Sequence, residues 1–180
     1  MTDAITSWLG PPAVVGLNEV HAGPPYFADG GSWELDSQLG WGAIGFVWLA
    51  SDRERRLSLP WQTGMKAVTY DATIELVFKY VIGPNEDQKT AATAYVRPLN
   101  NLLEGVKNRI REDPLFGTRP GNTNPVVTSA GLLLQAGQGD VDGGLDDITL
   151  DRDYPRRDSG GGVLWSWNVI HFNVVEVIRA

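Results

Sequence analysis

The sequence predicts an α+β fold: a mostly antiparallel sheet with a long projecting β-hairpin, one long helix and a short N-terminal helix. Three observations carry this expectation. From Met65 to Ile82, the apolar or small residues Val68, Tyr70, Ala72, Ile74, Leu76, Phe78, Tyr80 and Ile82 alternate with Thr69, Asp71, Thr73, Glu75 and Lys79, which is the period of a half-buried strand. From Ala92 to Ile110 apolar residues recur at spacings of three and four, the period of an amphipathic helix. Val163 to Arg179 is a second long stretch of strand character.

The segment from Met65 to Ile82 sets the scale. At about 3.3 Å per residue it extends roughly 60 Å, whereas a compact domain of 180 residues is only roughly 40 Å across. Such a strand bends or projects. A projecting hairpin cannot bury its apolar face alone, which points to assembly with other chains and makes Tyr70, Ile74 and Leu76 candidate interface residues.

Taken in order, Thr2 caps a brief helix with Ile5, Trp8 and Leu9 inward, ended by Gly10-Pro11-Pro12. Val14 to Val20 has strand character. His21 to Gly40 is rich in Gly, Pro, Asp and Ser and reads as a long loop. Ala43 to Ala50 is a strand-length apolar run, Arg56 to Leu59 a shorter candidate, and Gln62-Thr63-Gly64 a turn, so that an antiparallel meander is expected. The main helix follows Gly83-Pro84, with Asn85 as N-cap and Gln88 in capping-box register. Glu86 and Asp87 at its start and Lys107, Arg109 and Arg111 near its end suit the helix dipole. Pro98 interrupts it without shifting the apolar phase, which implies a kink or a second helix starting there; Asp113-Pro114 ends it. Val126 to Gln135 is a strand candidate and Asp147 to Leu150 a weak one. Within Val163 to Arg179 the apolar phase switches from Val163, Trp165, Trp167 and Val169 to Ile170, Phe172, Val174 and Ile178. A bulge near Val169, or burial on both faces, produces such a switch.

Length and composition suit a single domain over 1–180 with loop insertions at about 21–40 and 115–130, and 42% hydrophobic content is ample for a core. Met1 to Gly10 reads as neither a signal peptide nor a membrane anchor. No membrane partner is expected. The absence of cysteine excludes disulfides and thiolate metal sites. A net charge of -7 argues against a protein that clamps DNA, because phosphate binding needs clustered Lys and Arg. Seven tryptophans are many for this length and suit cores and protein interfaces.

Gly40-Trp41-Gly42-Ala43-Ile44-Gly45 satisfies the dinucleotide-binding pattern, but a strand follows it where a helix is required. It reads as a glycine-rich strand entry. Asp140, Asp142, Asp146 and Asp147 around Gly143-Gly144 resemble a calcium loop, yet the twelfth position from Asp140 is Asp151 and not Glu, which favours a solvated acidic turn. His21 and His171 are the two available imidazoles, and no nucleophile elbow or metalloprotease motif accompanies them. No catalytic residue, metal or cofactor is expected. Arg152, Arg156 and Arg157 alternate with Asp151, Asp153 and Asp158 beside a glycine run, either as a charged turn or as salt-bridging interface residues. Trp165 and Trp167 are the aromatic candidates for the same interface.

Several segments together carry a family resemblance: Ile5-Thr6-Ser7-Trp8-Leu9; Gly40-Trp41-Gly42-Ala43 leading into a strand; Tyr70-Asp71; Leu99-Asn100-Asn101-Leu102-Leu103 with Lys107 and Arg109-Ile110-Arg111; and Arg156-Arg157-Asp158 through Trp165-Ser166-Trp167-Asn168 to Phe172, Val174 and Glu176. In this order the chain resembles the tail terminator proteins of long-tailed (siphovirus-type) bacteriophages infecting actinobacteria. The resemblance implies an α+β subunit of a hexameric ring, a structural virion protein and not an enzyme. Such a ring caps the tail tube, ends its polymerisation and joins the tail to the head-tail connector at the neck. The implied partners are sister copies, the major tail tube protein and a connector or stopper protein. Genomic DNA passes through the lumen without specific binding, and an acidic lumen would repel it. Assembly would take place in the host cytoplasm. The rival readings are another neck ring protein such as a head-closure or connector protein, a non-viral tryptophan-rich binding module, and an enzyme with a cleft at His171 or at paired carboxylates.

Overall fold

A computed structural model describes residues 2–25, 39–56, 65–112, 133–136 and 148–179. In chain order the elements are α1 (Thr2–Leu9), β1 (Leu17–Ala22), β2 (Trp41–Arg56), β3 (Met65–Val81), α2 (Gln88–Glu112), β4 (Leu133–Ala136), β5 (Thr149–Asp151), β6 (Arg156–Arg157) and β7 (Val163–Arg179). The chain is α+β, with both helices packed on one face of a sheet ordered β1-β2-β3-β7-β4 and with β5 and β6 also paired to β7.

Alternation in β3 sorts the two faces as expected. Ala72, Ile74, Leu76 and Phe78 meet Tyr95, Leu99, Leu102, Leu103, Val106 and Ile110 of α2 and Ile5 and Leu9 of α1 in one apolar core. This corrects the reading of Ile74 and Leu76 as interface residues. Both are fully buried in the chain's own core, because α2 covers the face they share. Tyr70 lies on the same side and is half-buried.

The long projecting hairpin is replaced by a broader arrangement. β3 pairs with β2 from Trp41↔Tyr80 to Arg56↔Lys66 and with β7 from Met65↔Arg179 to Val81↔Val163, while β4 pairs with β7 at Val174–Val177. The distal strand ends therefore form a four-stranded sheet and not a free two-stranded ribbon. The Gln62-Thr63-Gly64 turn, residues 57–59 of the shorter strand candidate, residues 26–38 of the first loop region and all of the second at 115–130, and the acidic turn Asp140–Asp147 lie outside the described residues.

Three other expectations change. β1 runs parallel to β2, so the meander is interrupted at this edge; a parallel pair needs a crossover of a dozen or more residues, which the stretch from 23 to 40 supplies. β2 is one strand through the polar Ser51–Arg56, with its register shifted between Leu49 and Ser51, because continuous pairing to β3 overrides weak local strand preference. The helix cap is Asp87 and not Asn85: its Oδ1 accepts the Thr90 N–H at 2.7 Å, while Glu86 turns back to accept the Gly83 N–H at 3.0 Å and the Tyr80 hydroxyl at 3.1 Å. α2 continues through Pro98 as one helix, which removes the alternative of a second helix starting there.

Close approaches fix α1 and β1 to this frame. Gly16 has φ 84°, and a Cβ there would stand 2.0 Å from Cζ3 of Trp41, so only glycine lets the turn into β1 come this close to that indole. The Arg109 guanidinium sits 4.6 Å from the Trp8 ring centroid, tying the last turns of α2 to α1.

Candidate functional site

The phase switch in β7 locates the site. The β3–β7 register is unbroken from end to end, so there is no bulge at Val169. Instead every even position from Leu164 to Val174 faces the core, and two of them, Ser166 and Asn168, are polar and fully buried. The Tyr95 hydroxyl donates to Ser166 Oγ, which also accepts from Asn168 Nδ2 at 2.7 Å. The trio gives the Tyr95 hydroxyl and the Asn168 amide N–H an acceptor inside the core, while Asn168 Oδ1 has no partner among the described residues. Burial pushes the Tyr95 phenol up to about 12, against the Ser166 hydrogen bond, which acts the other way.

Consequently Trp165 and Trp167 point to the opposite, outer face. There Ile44, Phe46 and Val77 form a second apolar cluster with Trp167 packed on it, and among the described residues both helices belong to the other side. Because directly paired residues share a face, the register draws one row across five strands: His21, Phe46, Glu75, Val169 and Asp151. Glu75 is the centre of that row. Its Oε1 accepts the Trp48 indole N–H at 2.8 Å and its Oε2 that of Trp167 at 2.5 Å, so one half-buried carboxylate holds two indoles at fixed orientation. The His21 ring stacks on Phe46 at 5.5 Å between centroids and contacts Glu19 at 3.0 Å.

In the next row His171 is paired with Thr73, and Asp151 reaches across to it from the row of Glu75, so that a carboxylate, an imidazole and a hydroxyl stand in sequence. Asp151 Oδ2 lies 3.4 Å from His171 Nε2, and His171 Nδ1 lies 3.2 Å from Thr73 Oγ1. The order imitates a nucleophilic triad, but the geometry opposes that chemistry. Thr73 is 1% exposed in the middle strand of the sheet, flanked by β2 and β7, whose ladders occupy the surrounding backbone amides that an oxyanion hole would require. The arrangement orients side chains and offers no approach to the hydroxyl.

The three candidate arginines separate. Arg156 stays on the outer face, its guanidinium 5.3 Å from the Trp165 centroid and its Nη2 3.1 Å from Asp153. Arg152 donates to Asn100 Oδ1 of α2 at 2.7 Å, on the helical side. Arg157 closes its own turn by donating to the Gly161 carbonyl at 2.9 Å. Beside Trp165, burial lowers the Lys79 amine, with the Asp158 carboxylate opposing the shift. Thus Arg156, Trp165 and Trp167 meet on one surface, whereas Tyr70, Ile74, Leu76, Arg152 and Arg157 do not. Trp48, Glu75 and His171 join that surface without having been singled out for it. Their signal was parity: all lie on the polar or aromatic side of strands whose partners the sequence does not name.

Gly40, at φ 70°, opens β2 and Trp41 to Gly45 are already strand, so the dinucleotide pattern lacks its helix. Among the described residues no three His, Asp or Glu side chains group as metal ligands, and no described helix is long and apolar enough to cross a membrane. No protein-family model matches this chain, and no curated protein matches it.

Proposed function

We propose that this chain is the subunit of a hexameric ring that caps a bacteriophage tail tube, ends its polymerisation and joins it to the head-tail connector. The observation that supports this reading is the outer sheet face. It combines three tryptophans, an apolar cluster and one central carboxylate that fixes two of the indoles, with no described helix over it. Interfaces concentrate aromatic side chains in such settings. A ring subunit needs preorganised contact surfaces and no turnover, and the occluded Thr73 hydroxyl fits that requirement. The net charge of -7 suits a lumen that passes DNA without holding it.

Stopping a tube is a capping problem: the terminator binds the last ring of tube subunits and offers no equivalent site to another. The test follows directly. Purified chain is added to polymerising tube subunits and tube lengths are measured by electron microscopy. Growth should stop earlier as the chain is added, with density for the added protein at one tube end. An unchanged length distribution refutes the proposal, and binding to the connector without any effect on tube growth reassigns the chain to another neck ring.

A further inference from the structure

The side of α2 turned away from the sheet carries a second surface of opposite character. A depression of about 620 Å³ runs along it, lined chiefly by Lys89, Ala92, Thr93, Val96, Arg97 and Asn100. From Gln88 to Leu103 the helix has no acidic residue, although the chain has a net charge of -7. Lys89 and Arg97 are exposed and make no ion pair among the described residues, and Val96 between them is 48% exposed. Arg152 adds a third cation at the Asn100 end. The outer sheet face has the complementary pattern. Its aromatic centre is bordered by Glu19 on β1 and Asp151 on β5, with side chains 61% and 79% exposed. Among the residues whose side chains are described, its cations Lys79 and Arg156 lie together at the Trp165 end, beside Asp158 and Asp153, and Arg53, Arg55 and Arg179 hold register positions on the same face at its distal end.

From these two faces we infer that successive copies of the chain associate front to back, the cationic stripe of α2 seating on the outer sheet face of the next copy. This inference rests on the ring reading above and assigns its two surfaces. The dimensions are compatible: Lys89 and Arg97 lie about 12 Å apart along the helix, the five-strand row from His21 to Asp151 spans about 19 Å, and the two long side chains extend outward to cover the difference. Val96 meets the indoles of Trp48 and Trp167, while Lys89 and Arg97 reach Asp151 and Glu19. The two patches lie on opposite sides of a two-layer body, so the contact is heterologous, and copies joined this way form a closed ring or an open filament and never a symmetric pair.

The test uses two doubly substituted full-length chains. One carries Lys89→Glu and Arg97→Glu on the helix; the other carries Glu19→Lys and Asp151→Lys on the sheet. All four positions are exposed, and urea titration of each chain establishes that it folds. Self-association is read by sedimentation velocity and native mass spectrometry. Each substituted chain alone should associate at least about tenfold more weakly than wild type, because like charges then face each other. An equimolar mixture should recover association, since an alternating order restores opposite charges at every contact, and the rings recovered should contain even numbers of copies. A third chain carrying Val96→Arg should also associate more weakly. The inference is overturned if the reversed chains associate like wild type, if the mixture stays dissociated, or if wild type remains monomeric up to about 100 µM, weaker than an interface of ordinary size gives. Tube-length measurements on the same chains separate the two claims: undiminished association and capping by the reversed chains remove the face assignment and leave the ring reading intact.

Discussion

Replacing Ser166 by alanine tests the account of β7 most directly. Ser166 and Asn168 are 0% exposed and Tyr95 is 1% exposed, and one serine oxygen accepts hydrogen bonds from both neighbours. The substitution changes volume little, so the cavity contribution is small. It leaves two buried donors without an acceptor, each costing about 1–3 kcal/mol, which places the expected loss of stability at about 2–6 kcal/mol. Tyr95→Phe removes a much larger interaction on paper, yet it takes away donor and obligation together. The Ser166 hydroxyl is then free to turn toward Asn168 Oδ1, which has no partner among the described residues. Its expected cost is only about 1 kcal/mol.

Urea titration of both single variants and the double variant measures these values. The order of costs should be Ser166→Ala above Tyr95→Phe, and the double variant should lose clearly less than the sum, because the orphaned phenol of one variant is absent from the other. Apolar replacement of all three groups, Tyr95→Phe with Ser166→Ala and Asn168→Leu, should recover most of the loss. A Ser166→Ala cost below about 0.5 kcal/mol, or single costs that simply add, would refute the claim that the trio is a coupled buried network.

Three further outcomes follow from the same structure. Tyr95 titrates near 10 when unfolded and is held up to about 12 by burial, so the folded chain keeps a proton that the unfolded chain loses; stability is complete below pH 10 and falls by about 2–3 kcal/mol as pH rises to 12, and Tyr95→Phe should flatten that alkaline decline in urea titrations. Gly16→Ala should cost about 2–4 kcal/mol, since it places a Cβ against the Trp41 ring at a backbone φ of 84°; thermal unfolding reads it. Ile74→Ala and Leu76→Ala should each destabilise the isolated chain by about 2–5 kcal/mol, as core truncations do, and a negligible effect on the monomer would return these residues to the surface.

Where one face of an element is apolar and the other wet, the sequence was enough. β3 was legible because its alternation holds from Val68 to Tyr80, and α2 because Tyr95, Leu99, Leu102, Leu103, Val106 and Ile110 repeat on one face and are all buried, although Ala92 and Val96, which the same spacing places with them, are exposed and Ala91 takes the buried position. α1 was legible for the same reason, with Ile5, Trp8 and Leu9 all buried. What failed depends on partners far along the chain. The polar half of β2 has no pattern of its own and is strand because β3 lies beside it. The parallel sense of β1 is a topological choice that its six residues do not encode. The carboxylate at the centre of the candidate site joins Trp48 and Trp167 across 27 and 92 positions of sequence. Glu75 alone looks like an ordinary wet residue on a half-buried strand. Ile74 and Leu76 are misplaced for a different reason: an apolar strand face reads the same whether a sister copy or the chain's own helix covers it, and here α2 does.

The broken phase of β7 and the open outer face have one physical origin. A shift of this strand by one residue would turn Trp165, Trp167 and Val169 inward, the choice that hydrophobicity favours locally. The same shift would expose Leu164, Ile170, Phe172 and Val174, all of which are buried, so the apolar residues on either side of the polar pair set the register for the whole strand. Ser166 and Asn168 are then forced inward, and the cost is offset because Tyr95 on α2 brings a hydroxyl to the same place. The inner trio is thus the condition on which two large indoles remain outside, and the Glu75 carboxylate then fixes the Trp167 indole together with that of Trp48. A chain selected for its own stability alone would have little reason to place serine and asparagine in the core and tryptophan on the surface of the same strand. A chain whose sheet presents a rigid aromatic patch to another molecule would have that reason, and this is the support that the inversion lends to the proposed assembly.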